Sequence, residues 1–196
     1  MMARRLNAQD WIDFGLTTLA RAGSDALKAD VLARRLGVSR GSFYWHFADL
    51  AAFHARVIAQ WKQVATESII ADLERYRSHG ERLDALLRHA FGDGAAVEIR
   101  MRAWGETNAA AARALDEIDR RRRTYIERLL VAAGVAPSLA AVRTQILYWT
   151  YLGAALSRSK LTGARLERTV AELKQIGLAG RRPQTSRKAR KRAAGY

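Results

Sequence analysis

The chain has 196 residues, of which 49% are hydrophobic, and it carries a formal net charge of +15 with no cysteine. Its apolar content suffices for a folded core, and the lack of cysteine excludes disulfides, thiolate zinc sites and cysteine nucleophiles. So basic a chain favours polyanionic partners, above all nucleic acids.

The composition also favours helices throughout. Alanine, leucine and arginine are abundant, β-branched runs are short, and the prolines are Pro137 and Pro183. No apolar stretch approaches the ~20 residues that cross a bilayer, and no signal-peptide apolar core follows the N-terminal arginines. We therefore expect an all-α, cytoplasmic protein with no membrane partner.

The first helix is predicted to begin at Asn7, where Asp10 three residues later completes a capping-box pattern. Ile12, Leu16 and Leu19 recur at helical spacing and form one apolar face. Gly23 is predicted to end this helix as a left-handed C′ residue.

Two shorter helices are predicted next, over residues 28–36 and from Ser39 to about residue 47. Ala33 is small where two helices must cross, Gly37 takes the turn, and Ser39 caps the third helix. The pattern is that of a helix-turn-helix.

The rest of the chain is predicted to be long helices. They cover residues 50–76, 81–91, 96–104, 109–133, 137–159 and 165–178. A loop is expected at residues 92–94, while Gly134 follows one helix and Pro137 suits the first turn of the next.

Three domains follow from this pattern. Residues 1–50 are expected to form a three-helix helix-turn-helix domain for DNA binding, and residues 51–179 a helical bundle, to which the resemblance given below assigns dimerisation and ligand binding. Residues 180–196 carry seven basic side chains and no acid. This tail is predicted to be disordered because it cannot build a core.

One segment resembles a known family. Leu36-Gly37-Val38-Ser39, then Gly41, then Phe43-Tyr44-Trp45-His46-Phe47 are similar, almost position for position, to the recognition-helix signature of TetR regulators. The resemblance extends back to about Asn7. It continues more loosely at Trp104, Ile118, Asp119, Arg123, Tyr125, Leu129, Leu130, Ala133 and Gly134.

The resemblance implies which residues meet DNA. Arg40 and Tyr44 would read base edges in the major groove, because arginine can bond guanine O6 and N7 together. Gly41 would let the backbone approach the bases. The residues expected to contact phosphates are Lys28, Ser39, Ser42, Trp45 and His46.

A second group of large side chains lies in the C-terminal part. It comprises Phe91, Met101, Trp104, Tyr148, Trp149 and Tyr151. In a helical domain such residues form either plain core or the lining of an effector cavity, and the resemblance makes the cavity a real alternative. The run of arginines at residues 120–123 is interpreted as a solvated helix face.

The last two long helices carry wide apolar stripes. Their members are Ile146, Leu147, Trp149, Leu152, Gly153, Leu156, Leu166, Val170, Leu173 and Ile176. Such stripes can serve both an internal core and a second subunit. In TetR-like proteins the equivalent helices form a four-helix dimer interface, so a homodimer with two recognition helices is expected.

The leading hypothesis is a TetR-type repressor that binds a palindromic operator as a dimer and is released by a small molecule. The alternative is an architectural or ligand-independent DNA-binding protein whose bundle only dimerises and whose tail adds sequence-independent affinity. The sequence offers no catalytic constellation and no histidine–carboxylate spacing of a metal site. Neither an enzyme, a cofactor nor a metal is expected.

Overall fold

The computed structural model describes residues 6–92, 95–157 and 161–181. These residues form ten α-helices and no strand, so the predicted all-α fold is confirmed. The helices are α1 Ala8–Ala22, α2 Ala29–Leu36, α3 Arg40–Tyr44, α4 Leu50–Lys62, α5 Ser68–Leu73, α6 His79–Gly92, α7 Ala95–Gly105, α8 Ala109–Ala132, α9 Pro137–Leu156 and α10 Gly163–Leu178. Within the same residues, no helix has the length and apolarity to cross a membrane.

The start of α1 matches its prediction. Asn7 Oδ1 accepts from the Asp10 amide at 3.0 Å, and Asp10 Oδ2 accepts from the Asn7 amide at 2.8 Å, which completes the capping box. Gly23 ends the helix as predicted, but not in the left-handed helical region. Its φ of 79° and ψ of 179° place it in an extended conformation with positive φ.

The helix-turn-helix consists of α2 and α3. Gly37 adopts the left-handed conformation, with φ 70° and ψ 28°, and the Val38 amide donates to the Ala33 carbonyl at 3.0 Å. Ser39 occupies the N-cap position of α3, although its hydroxyl makes no capping hydrogen bond.

The third helix is shorter than predicted, ending at Tyr44 and not near Phe47. The amides of His46 and Phe47 both donate to the Phe43 carbonyl, at 3.0 and 3.1 Å. The bond from His46 spans three residues, as in a 3₁₀ turn, and the helix ends there. The chain then turns into α4.

The helix predicted over residues 50–76 is interrupted. A π-helical turn at Gln63–Glu67 joins α4 to α5, which ends at Leu73. The next helix, α6, begins at His79, two residues before its predicted start. A capping box explains the difference, because the Ser78 hydroxyl accepts from the Glu81 amide at 3.1 Å and Glu81 accepts from the Ser78 amide at 3.0 Å.

Buried side chains form two clusters. The first joins α1–α4 to α7 and α8, and the second joins α5, α6, α8, α9 and α10. Helices α1 and α4 approach closely at Gly15, where an added Cβ would lie 2.6 Å from Phe53 Cζ. The N-terminal helices therefore pack directly on the C-terminal bundle.

The remaining helices follow the prediction within a few residues, with Gly134 at φ 97° and Pro137 in the first turn of α9. The loop expected at residues 92–94 lies largely outside the described residues, since Gly92 ends α6 and the next two residues are not described. The same holds for the tail beyond Arg181. The division into residues 1–50, 51–179 and 180–196 stays a prediction.

Candidate nucleic-acid interface and ligand cavity

Helix α3 is anchored by one buried aromatic side chain. Phe43 is fully buried, and its ring centroid lies 5.4 Å from that of Trp11, 5.2 Å from Phe53 and 5.1 Å from Phe47. Because Trp11 lies on α1 and Phe53 on α4, these two helices hold α3 by its buried face. Its opposite side is left to solvent.

Arg40 and Tyr44 occupy that solvent side as a pair. Arg40 Nη2 donates to the Tyr44 hydroxyl at 3.1 Å, and the guanidinium carbon lies 5.3 Å from the tyrosine ring centroid. Both side chains are exposed. The spacing of one helical turn places them on one face, and their contact orients the arginine before any partner is bound.

The other residues predicted to contact DNA differ in their exposure to solvent. Lys28, Ser39, Gly41 and Trp45 are exposed, Trp45 by 76%, and Ser42 is half-buried. An added Cβ at Gly41 would meet nothing nearer than the Ser39 hydroxyl oxygen at 3.8 Å, so packing within the chain does not require this glycine.

His46 stands apart from the other members of the predicted set. Its imidazole is half-buried, and Nε2 lies 3.0 Å from the carbonyl oxygen of Leu6. This contact ties the segment before α1 to the end of α3. The geometry therefore gives His46 a contact within the protein, and its phosphate contact stays a prediction.

A cavity of about 320 Å³ lies in the C-terminal bundle. Helices α4, α5, α6, α7, α8 and α9 all contribute to its wall, and most of the lining is apolar. Two of its lining residues, Val64 and His89, are exposed to solvent. The volume is at the lower end of the ~300–1,000 Å³ typical of small-molecule sites.

The six side chains singled out from the sequence divide into two groups. Phe91, Tyr148 and Tyr151 line the cavity. Met101 and Trp104 are buried in the first cluster and do not line it, and Trp149 is 63% exposed on α9. Half of the predicted lining thus belongs to plain core or to the surface.

A buried ion pair forms one wall of the cavity. Glu98 on α7 is 2% exposed, and its Oε2 accepts from Arg122 Nη1 on α8 at 3.0 Å. The same guanidinium donates to the Thr66 hydroxyl and to the Ala65 carbonyl, both at 3.0 Å, in the π-helical turn. Its carbon also lies 5.9 Å from the Trp61 ring centroid.

Glu98 is also paired with Arg102, which in turn pairs with Asp119. Arg102 Nη2 donates to Glu98 Oε1 at 2.6 Å and to Asp119 Oδ1 at 2.8 Å. The Tyr148 hydroxyl donates to Asp119 Oδ1 at 2.6 Å. Burial raises the pKa of Tyr148, and it raises the pKa of Tyr151 to about 12, so both phenols stay neutral at physiological pH.

The interpretation of residues 120–123 as a solvated face is wrong for Arg122. A signal existed in the sequence, because position 122 lies four residues after Ile118 and three before Tyr125, both of which are buried. This spacing puts Arg122 on the inward face of α8. Glu98 and Thr66 were also missed, and no local pattern distinguishes them.

Comparison with known proteins identifies a family for the N-terminal helices and shows the fold of the whole. Residues 12–53 match the family model described as bacterial regulatory proteins, tetR family, which confirms the resemblance seen in α1–α3. No curated protein sequence matches the chain significantly.

Solved structures share the fold over most of the chain. A transcriptional regulator from Rhodococcus sp. Rha1 is 18% identical, with a TM-score of 0.70 over 90% of this chain and 98% of its own. A transcriptional regulator from Saccharomonospora viridis in complex with choline is 15% identical, with a TM-score of 0.68 over 89% and 96%. The fatty acid degradation regulator FadR from Bacillus halodurans is 16% identical, with a TM-score of 0.60 over 88% and 98%.

Proposed function

We propose that the protein is a TetR-type transcriptional repressor that binds a palindromic operator as a homodimer and is released by a small-molecule effector. The observation that carries this proposal is the exposed Arg40–Tyr44 pair on α3, inside the segment that matches the tetR family. Helix α3 enters the major groove as the recognition helix.

The division of roles follows from the chemistry of each side chain. Arg40 bonds a guanine edge, and Tyr44 adds an apolar contact or a hydroxyl bond, so these two residues carry sequence specificity. Gly41 allows the helix backbone to approach the groove. Lys28, Ser39, Ser42 and Trp45 fix the register on the phosphates, and His46 holds the end of α3 through Leu6.

An exposed apolar stripe on α9 supports a homodimer. Its members recur with heptad-like spacing: Leu139, Val142, Ile146, Trp149 and Leu156, each at least 42% exposed. Ile176 on α10 is also exposed, whereas Leu147, Val170 and Leu173 from the same helices are buried in the chain's own core. Pairing α9 and α10 with their copies covers the stripe and brings two recognition helices to one operator.

The effector site is the cavity in the bundle. Its lining includes the Arg122 contacts to the turn between α4 and α5, and α4 packs against α1 of the DNA-binding helices. A ligand that prefers one arrangement of this wall shifts the spacing of the two recognition helices. The choline-bound structure is a similar fold in complex with a small molecule, which supports small-molecule control.

Selection of binding sites from a random duplex library tests the proposal against the architectural alternative. We expect a palindromic consensus with two half-sites, read once by each subunit. An unselective pool, bound equally well by every sequence, would instead establish sequence-independent binding supported by the seven basic residues after Gly180.

Arg40→Ala should weaken binding to the selected operator by about 1–3 kcal/mol per bidentate contact, because it removes a base-reading guanidinium. Fluorescence anisotropy on operator and on scrambled DNA measures the change. Arg120→Ala removes an exposed arginine from α8 and serves as the control. Equal operator affinity for the two variants would contradict the assignment of α3.

A further inference from the structure

The charges that face the cavity are already neutralised within the protein. Among the described lining residues, the acidic and guanidinium side chains are Glu98 and Arg122, which pair with each other, and the further basic side chain, His89, is exposed to solvent. Glu98 is paired a second time by Arg102, which Asp119 balances in turn. A ligand therefore meets one anion and one cation that are already paired, with a second cation and anion balanced behind them, so this ion-pair network offers no net charge to offset that of the ligand.

The fully buried polar atoms of the wall are satisfied as well. In the part of the chain that the structure describes, the buried side-chain atoms without a partner are Trp11 Nε1, Arg102 Nε and Thr144 Oγ1, and none belongs to a lining residue. The carboxylate of Glu98 is covered by two guanidinium groups, so it is not offered to a ligand cation. Apart from the solvent-exposed His89, nothing in this wall requires a charged or strongly polar guest.

We infer that the cavity binds an uncharged, largely apolar molecule and discriminates against organic anions and cations of the same size. The inference rests on the proposed function, since it names the chemical class of the effector. Its physical basis is desolvation. A charged guest would leave water without gaining a counter-charge, whereas an alcohol of the same length would lose only weak hydration.

Three probes of equal chain length test the inference on the unaltered protein. 1-Decanol, decanoate and decyltrimethylammonium are titrated below their aggregation concentrations, and binding is followed by calorimetry. We expect 1-decanol to bind at least about tenfold more tightly than either ion. Ala90→Phe, which adds a ring to the cavity lining, should abolish the decanol signal and exclude surface adsorption.

A charge variant of the wall makes the test sharper. Glu98→Gln removes the anion that pairs with Arg122 and leaves a cationic wall of nearly the same shape, so preference should move from 1-decanol towards decanoate. Glu117→Gln removes an exposed acid from α8 and should leave the order of the probes unchanged. Circular dichroism checks that both variants are folded.

The outcomes separate this inference from the proposed function. Tighter binding of decanoate or decyltrimethylammonium to the unaltered protein would overturn the inference, as would the absence of decanol binding. Either result can coexist with a palindromic consensus in the DNA selection. If the DNA selection yields no palindromic consensus while 1-decanol still binds, the repressor proposal alone is overturned.

Discussion

Trp149→Glu should convert the protein to a monomer and lower its affinity for a palindromic operator by about 100-fold or more. Trp149 is 63% exposed at the centre of the α9 stripe, so its replacement places a carboxylate where two copies of the helix would meet. Without the dimer, each half-site is bound separately, and the gain from linking two modules, about 10²–10⁴, is lost. Sedimentation velocity and anisotropy measure the two effects.

A matched pair of valines controls for the introduction of charge. Val142→Glu changes a residue on the stripe, and Val131→Glu changes an exposed valine on α8, 39% exposed, that lies off it. We expect the first to resemble Trp149→Glu and the second to remain a dimer. A dimeric Trp149→Glu variant with full operator affinity would show that subunits meet elsewhere.

Phe43→Ala should lower the free energy of unfolding by about 3–5 kcal/mol, the cost of removing a phenyl ring from a packed core. Phe43 is fully buried, and its ring packs against those of Trp11, Phe47 and Phe53. The loss is a large part of the ~5–15 kcal/mol that stabilises a typical domain. Urea denaturation followed by circular dichroism measures it.

The adjacent residue gives the opposite result. Tyr44 is 44% exposed, so Tyr44→Ala should change the unfolding free energy by less than about 1 kcal/mol. It should nevertheless weaken operator binding, because Arg40 loses the hydroxyl and ring that orient it. Comparable destabilisation by the two substitutions would contradict the division of α3 into a core face and a reading face.

Local chemistry explains why the helices could be predicted well. Asn7 with Asp10, Gly37 and Pro137 act within a few residues, and each marks a boundary that the structure contains. The same kind of signal was present and overlooked at Ser78 and Glu81. The early end of α3 depends on bonds to the Phe43 carbonyl that residue types alone do not reveal.

The cavity was harder to predict because helix α9 carries apolar residues around most of its circumference. Tyr148 and Trp149 are neighbours in sequence, yet about 100° apart on the helix, so one faces the cavity and the other faces solvent. Which side points inward depends on how α9 packs against α8 and α10. The pairing of Arg122 with Glu98, 24 residues apart in sequence, likewise exists only after these helices assemble.

The π-helical turn at Gln63–Glu67 determines how α5 is rotated about the helix axis relative to α4. α4 turns Phe53 and Trp61 into the first cluster, whereas α5 turns Leu73 into the second. A π turn holds about one residue more than an α turn, and one residue corresponds to about 100° of rotation. Deleting a single residue from this turn would therefore swing Leu73 away from its cluster. A one-residue deletion should therefore be far less tolerated here than in a surface loop.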